Sequence, residues 1–99
     1  LLAYFGHGSP TVWSREQRLQ AAQLPGLLNL SSAPVVAEFG CWGGYFVAPQ
    51  YNTMAHAWMS SSANGAAAMF ASGGLTEHHS DRRMAENLLP RLSRPGVRL

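Results

Sequence analysis

Pro34-Val35-Val36-Ala37-Glu38-Phe39-Gly40-Cys41-Trp42-Gly43-Gly44 is the stretch on which the fold turns. Pro34 to Phe39 is short, almost wholly apolar and stopped by glycine, which predicts a buried parallel strand rather than a helix. Its end leaves Cys41 just past the strand, with glycine on both sides. Upstream, Leu1-Leu2-Ala3-Tyr4-Phe5 has the same form and is closed by Gly6-His7-Gly8-Ser9-Pro10, so a first strand delivers His7 at its C-terminal end. Downstream, Asn64-Gly65 turns into Ala66-Ala67-Ala68-Met69-Phe70-Ala71. Alanine content alone favours a helix there; the short run, its glycine bounds and its third place in an alternating pattern favour a strand.

The segments between these runs are expected to be helical. Ser14 with Gln17 makes an S-x-x-Q capping box before a helix over Arg15 to Leu24, with Leu19 and Ala22 on its packed face and Pro25-Gly26 ending it. A loop follows around Asn29 to Ala33. Asn52 caps a second helix running to about Ser61, with Ala55, Trp58 and Met59 on one face. Ser80 and Asp81 start a third, in which Met84, Ala85, Leu88, Leu89 and Leu92 form a stripe and Pro90 should kink or shorten the end. The order is β-α-β-α-β-α, an α/β fold with a parallel sheet, and such sheets bind ligands outside the carboxyl ends of their strands. Residues 1–99 carry no internal repeat, low-complexity tract or domain boundary.

Composition narrows the function. With 46% hydrophobic and 12% charged residues in 99, the balance is globular. All seven basic residues are arginine against five acids, with Arg82, Arg83, Arg91, Arg94 and Arg98 toward the C-terminus. The aromatic residues lie mostly in the less charged first half, so the interleaved basic and aromatic stripe of a nucleic-acid binder is missing. No apolar run approaches the roughly 20 residues of a membrane span. The chain opens directly on an apolar run without an initiator methionine, so it reads as part of a larger domain that should leave apolar sheet edge exposed. A single cysteine excludes an internal disulfide and leaves a thiol that is either inert core or a nucleophile.

Two adjacent parallel strands ending in glycine-flanked His7 and Cys41 put an imidazole and a thiol on one rim of the sheet, since neighbouring strands lie about 5 Å apart. An imidazole can hand a proton to a leaving amine, and a thiol attacks as thiolate. Gly8 and Gly43-Gly44 let backbone approach a substrate closely, and the N–H groups of Gly8 and Cys41 are candidate oxyanion donors. A lone cysteine is more often a small buried hydrophobe, and a lone histidine more often structural; the glycine setting of both shifts that balance. His78-His79 with Glu77 and Asp81 read as an exposed loop rather than a metal site, because adjacent side chains point apart. His56 is expected on a helix surface. Glu38, an acid inside an apolar strand, should need an arginine, a helix terminus or a loop N–H as partner. Trp13, Trp42 and Tyr45 either line a groove or pack loops onto the sheet. Ser9 and Ser72 sit in no G-x-S-x-G elbow and are not read as nucleophiles.

Three blocks together resemble the gingipain-type peptidases. Tyr4-Phe5-Gly6-His7-Gly8-Ser9-Pro10-Thr11-Val12-Trp13 is similar to that family's His-Gly motif, and Val35 to Phe46 to the strand ending in its nucleophilic cysteine. Gly65 to Gly74 resembles the strand and Ser-Gly turn that follow. The resemblance covers nearly the whole chain, in order. It implies the C-terminal half of a caspase-like domain, three layers around a parallel sheet, with His7 as acid and base, Cys41 as nucleophile, and Gly8 and Cys41 as oxyanion donors. It implies a substrate groove walled by Trp13, Trp42, Gly43, Ser72, Gly73 and Glu77, with His78 close by. No cofactor or metal is implied, the partners are a protein or peptide substrate and the preceding part of the same domain, and the expected location is extracellular or at the cell surface. The acid that orients the histidine in that family lies upstream of these residues, so this segment by itself is expected to be inactive. The alternative is a catalytically inactive caspase-like scaffold or a secretion-associated binding domain.

Overall fold

The computed structural model describes residues 1–28, 32–61 and 64–96, so residues 29–31 of the expected Asn29 loop and Arg98 lie outside the described residues. Strand β1 spans Leu2–Phe5, and β2 (Gly8–Ser9), β3 (Val12–Trp13) and β4 (Leu19–Gln20) are two-residue strands leading into a 3-10 helix over Ala21–Gly26. Strand β5 (Val35–Phe39), helix α1 (Met54–Ser60), strand β6 (Ala68–Phe70) and helix α2 (His78–Leu92) follow. β1, β5 and β6 form a parallel sheet with β5 at its centre, and β2, β3 and β4 form a small antiparallel one.

The composition of β5 explains its central place. Four of its five residues are buried, because both faces are covered. Val36 faces a cluster with Trp13, Leu24, Met54, Ala57 and Trp58, while Ala37 and Phe39 face Ala85, Leu88 and Leu89 of α2. That gives three layers, with α1 and the 3-10 helix on one side and α2 on the other. Leu24 and Met54 are completely buried, and each contributes about 1.5–3 kcal/mol by leaving water. β1 forms an edge and leaves Leu2 and Phe5 exposed.

The α/β class and the three parallel strands agree with the sequence; the first crossover does not. Arg15 to Leu24 is not an α-helix. Ser14 and Gln17 take left-handed backbone angles, with φ of 65° and 53°, and Gln17 N–H donates to the Ser14 carbonyl at 3.2 Å, so the proposed cap is a tight turn instead. Arg15, Glu16, Gln17 and Arg18 are all exposed and offer no apolar stripe for a helix to bury. The capping interaction belongs three residues before Gln23, whose side chain accepts from Gln20 N–H at 2.8 Å where the 3-10 helix begins.

The other boundaries shift by smaller amounts. Thr53, not Asn52, caps α1, its hydroxyl accepting from His56 N–H at 3.2 Å. The buried face is therefore Met54, Ala57 and Trp58, and Met59 is half exposed rather than packed. Helix α2 starts two residues early, at His78, and Pro90 sits within its last turns without ending it. Of the α2 stripe Ala85 is fully buried, while Met84 stands half exposed.

Candidate active site

Parallel pairing runs from Leu2 opposite Val36 to Phe5 opposite Phe39. The chain then leaves β1 as Gly6-His7 and β5 as Gly40-Cys41, at one end of the sheet, with Gly6 N–H still donating to the Phe39 carbonyl at 3.3 Å. The backbone of His7 is held from two sides: the Tyr4 hydroxyl and Ser14 N–H both donate to its carbonyl, each at 2.8 Å. Tyr4 is itself stacked on Trp13, ring centres 4.5 Å apart and planes 1° from parallel. His7 thus presents an exposed side chain from an anchored main chain.

His7 and Cys41 line one cavity of about 630 Å³, together with Gly6, Gly40, Thr76, His78, Asp81 and Arg82. Phe5, Phe39, Ala85 and Leu89 line its apolar part. Cys41 is a free thiol, half-buried. Its sulfur accepts from Thr76 N–H at 3.4 Å and lies 3.6 Å from the Thr76 hydroxyl, which is 2.6 Å from a carboxylate oxygen of Asp81. An N–H aimed at sulfur stabilises negative charge there. The loop is fastened to the cysteine turn by Trp42 N–H to the Gly74 carbonyl at 2.9 Å and Gly44 N–H to the Ser72 carbonyl at 2.8 Å. Trp42, immediately after the thiol, has φ of 69°, an uncommon conformation for a large side chain, and its ring meets Tyr45 edge-on at 5.0 Å.

The turns carrying the two reactive groups approach each other as backbone. A methyl group on Gly8 would stand 2.7 Å from the Cys41 carbonyl oxygen and 3.6 Å from its nitrogen. Gly8 and Cys41 are therefore backbone neighbours beyond the ends of β1 and β5, although Gly8 itself lines neither that cavity nor its smaller neighbour.

The other expected groove residues divide. Ser72 and Glu77 line a second, smaller cavity of about 390 Å³, which shares Thr76 and Asp81 with the first. Trp13 is only 5% exposed and belongs to the core, and Gly43 is buried; neither they, Trp42 nor Gly73 line either cavity. Thr76 and Asp81 were not foreseen as neighbours of the thiol. The available signal was a threonine just before a helix with an acid in its first turn, on the strand-end loop that also faces the cysteine turn. Arg82 and Glu86 pair at 2.8 Å on the exposed side of α2, an i,i+4 contact worth little to stability. Among the described residues, no group of three or more His, Cys, Asp and Glu side chains is placed to hold a metal ion.

Glu38 departs from expectation. It is 1% exposed, and no hydrogen-bond partner meets either carboxyl oxygen among the described residues. Instead of a paired carboxylate, the site holds an acid whose pKa burial pushes up to about 7. The Trp13 indole N–H lies close enough to pull that value back somewhat, but it falls short of hydrogen-bond geometry, so both groups count as unpaired.

The sequence matches the family model of peptidase family C25 over residues 1–98. The chain belongs to peptidase family C25. This is the gingipain family, so the resemblance read from the His-Gly and cysteine motifs holds, and cysteine peptidase activity on protein substrates is the function of the family. No curated protein and no solved structure matches significantly. No helix among the described residues is long and apolar enough to cross a membrane.

Proposed function

We propose that this chain carries the nucleophile and the acid-base group of a gingipain-type cysteine endopeptidase. The observation that supports this best is the shared cavity, which both His7 and Cys41 line just past the point where two adjacent parallel strands stop. In this reading the Cys41 thiolate attacks the carbonyl carbon of the scissile bond, forming a C–S bond as the carbonyl oxygen takes the negative charge. The N–H groups of Gly8 and Cys41 hold that oxygen. Collapse breaks the C–N bond, and the His7 imidazolium protonates the departing amine. Water then gives a proton to His7 and attacks the thioester, and the thiolate leaves as the acid product forms. Thr76 N–H supports the sulfur in its anionic state, and the Thr76 hydroxyl, by donating to Asp81 at the start of α2, holds that backbone segment in place.

The substrate is a protein or peptide chain lying across the rim between the His7 turn and the segment from Thr76 to His78 at the start of α2. The chain serves as the C-terminal half of a larger caspase-like domain, a role supported by the exposed apolar edge at Leu2 and Phe5, and acts outside the cytoplasm or at the cell surface as family membership suggests. Hydrolysis of a panel of fluorogenic peptides by the natural full-length protein tests the reading. Both Cys41→Ala and His7→Ala should lower kcat by about a thousandfold or more. Retained hydrolysis in Cys41→Ala would assign the activity elsewhere.

A further inference from the structure

One buried titratable group has no part in the chemistry just described. Glu38 lies on β5 three positions before Cys41, and its carboxyl sits beneath the two reactive turns. A methyl group on Gly8 would come within 2.9 Å of one carboxyl oxygen, and a methyl group on Gly43 would collide with the carboxyl itself. Both glycines therefore leave the space that Glu38 fills, one on the turn bearing His7 and the other on the turn bearing Cys41. The carboxyl is sealed from solvent and lacks a hydrogen-bond partner, a placement that costs free energy and that a simple packing residue would avoid.

We propose that Glu38 is a positioning residue of the peptidase site, the buried side chain against which the Gly8 and Gly43 turns are set so that the N–H groups of Gly8 and Cys41 converge on the substrate oxygen. The proposal rests on the peptidase reading above. It follows that the protonated acid is the working form, since a buried anion beside the oxyanion donors would oppose the negative charge they are arranged to hold. The groups facing it are few. Tyr4 lies opposite it on β1, His7 and Cys41 stand on the two turns, Trp13 approaches from β3, and Glu77 and Asp81 line the second cavity with it from the α2 side. Among the described residues no cation is paired with it.

The test is the pH profile of peptide hydrolysis by the natural full-length protein, comparing wild type, Glu38→Gln and Glu38→Ala between pH 6 and 8. Glu38→Ala removes the wedge and should lower kcat by about tenfold or more at pH 6 with KM within about threefold, because the lost contact acts in the transition state. Glu38→Gln keeps the shape and cannot ionise; it should recover most of that loss at pH 6, and its kcat relative to wild type should climb about tenfold by pH 8. If Glu38→Ala does not fold, the Glu38→Gln ratio decides alone. A ratio that stays flat from pH 6 to 8 overturns the assignment of Glu38 while leaving the peptidase reading intact. Absence of Cys41-dependent hydrolysis in the wild type at every pH overturns both.

Discussion

Glu38 also sets how stability depends on pH, and Glu38→Gln isolates the effect. In an unfolded chain the carboxyl has the ordinary value of 4.5, whereas in the fold it stands at about 7. The folded state thus holds the proton more tightly than the unfolded state. At about 1.36 kcal/mol per tenfold difference, that corresponds to about 3 kcal/mol. The sign follows from proton counting: between these two values the native state binds more protons than the unfolded state, so unfolding free energy falls as pH rises. The stabilisation is fully present below about pH 4.5, is lost progressively through about pH 7, and levels off above it. Because Glu38 is 1% exposed, solvent screening takes little from this figure. Glutamine has nearly the same shape and no ionisation, so its unfolding free energy relative to wild type should rise by about 2.5 kcal/mol between pH 5 and 8, the remainder having been lost below pH 5. Urea unfolding followed by the fluorescence of the buried Trp13 and Trp58 reads this directly, and subtracting wild type removes the other titrating groups. A difference that stays constant within about 1 kcal/mol, or that falls with pH, refutes the claim that the carboxyl is buried without a partner.

Two further substitutions probe the same rim. Gly43→Ala places a methyl group against the Glu38 carboxyl and should lower stability by about 1–3 kcal/mol in urea melts, together with a fall in kcat, whereas Gly74→Ala, with open space around it, should do neither. Thr76→Val removes the hydroxyl that anchors Thr76 to Asp81 and so loosens the backbone N–H aimed at the sulfur; it should slow both peptide hydrolysis and alkylation of Cys41 by iodoacetamide by about fivefold, and equal rates in the two proteins would remove the Thr76 hydroxyl from the site.

The parallel sheet was legible because its strands are short apolar runs closed by glycine, and the same closures put His7 and Cys41 at one rim. What local pattern cannot show is how a polar segment spends its backbone. Arg15 to Leu24 has helix-forming residues and an apparent cap, yet the left-handed turn at Ser14 and Gln17 diverts it into a strand pair, since no apolar stripe rewards a helix there. Thr76 reaches the thiol, with Asp81 behind it, only because the loop after β6 folds back over the cysteine turn, a contact between residues 35 positions apart. Trp13 was offered to the groove on its neighbours alone, but stacking on Tyr4 and burial against Trp58 and Leu24 draw it into the core. Glu38 was recognised as anomalous. The unexpected part is that a raised affinity for its own proton, rather than a counter-ion, lets it stay buried.

Covalent capture of the thiol tests the central claim most directly. The natural full-length protein is treated with a peptidyl acyloxymethyl ketone, and the adduct is located by mass spectrometry after digestion. A single adduct on Cys41, formed at least about tenfold more slowly in His7→Ala, is the result expected when thiol and imidazole act on one substrate carbonyl. Labelling of Cys41 at the same rate with and without His7, or no labelling at all, would contradict the pairing on which the proposed chemistry depends.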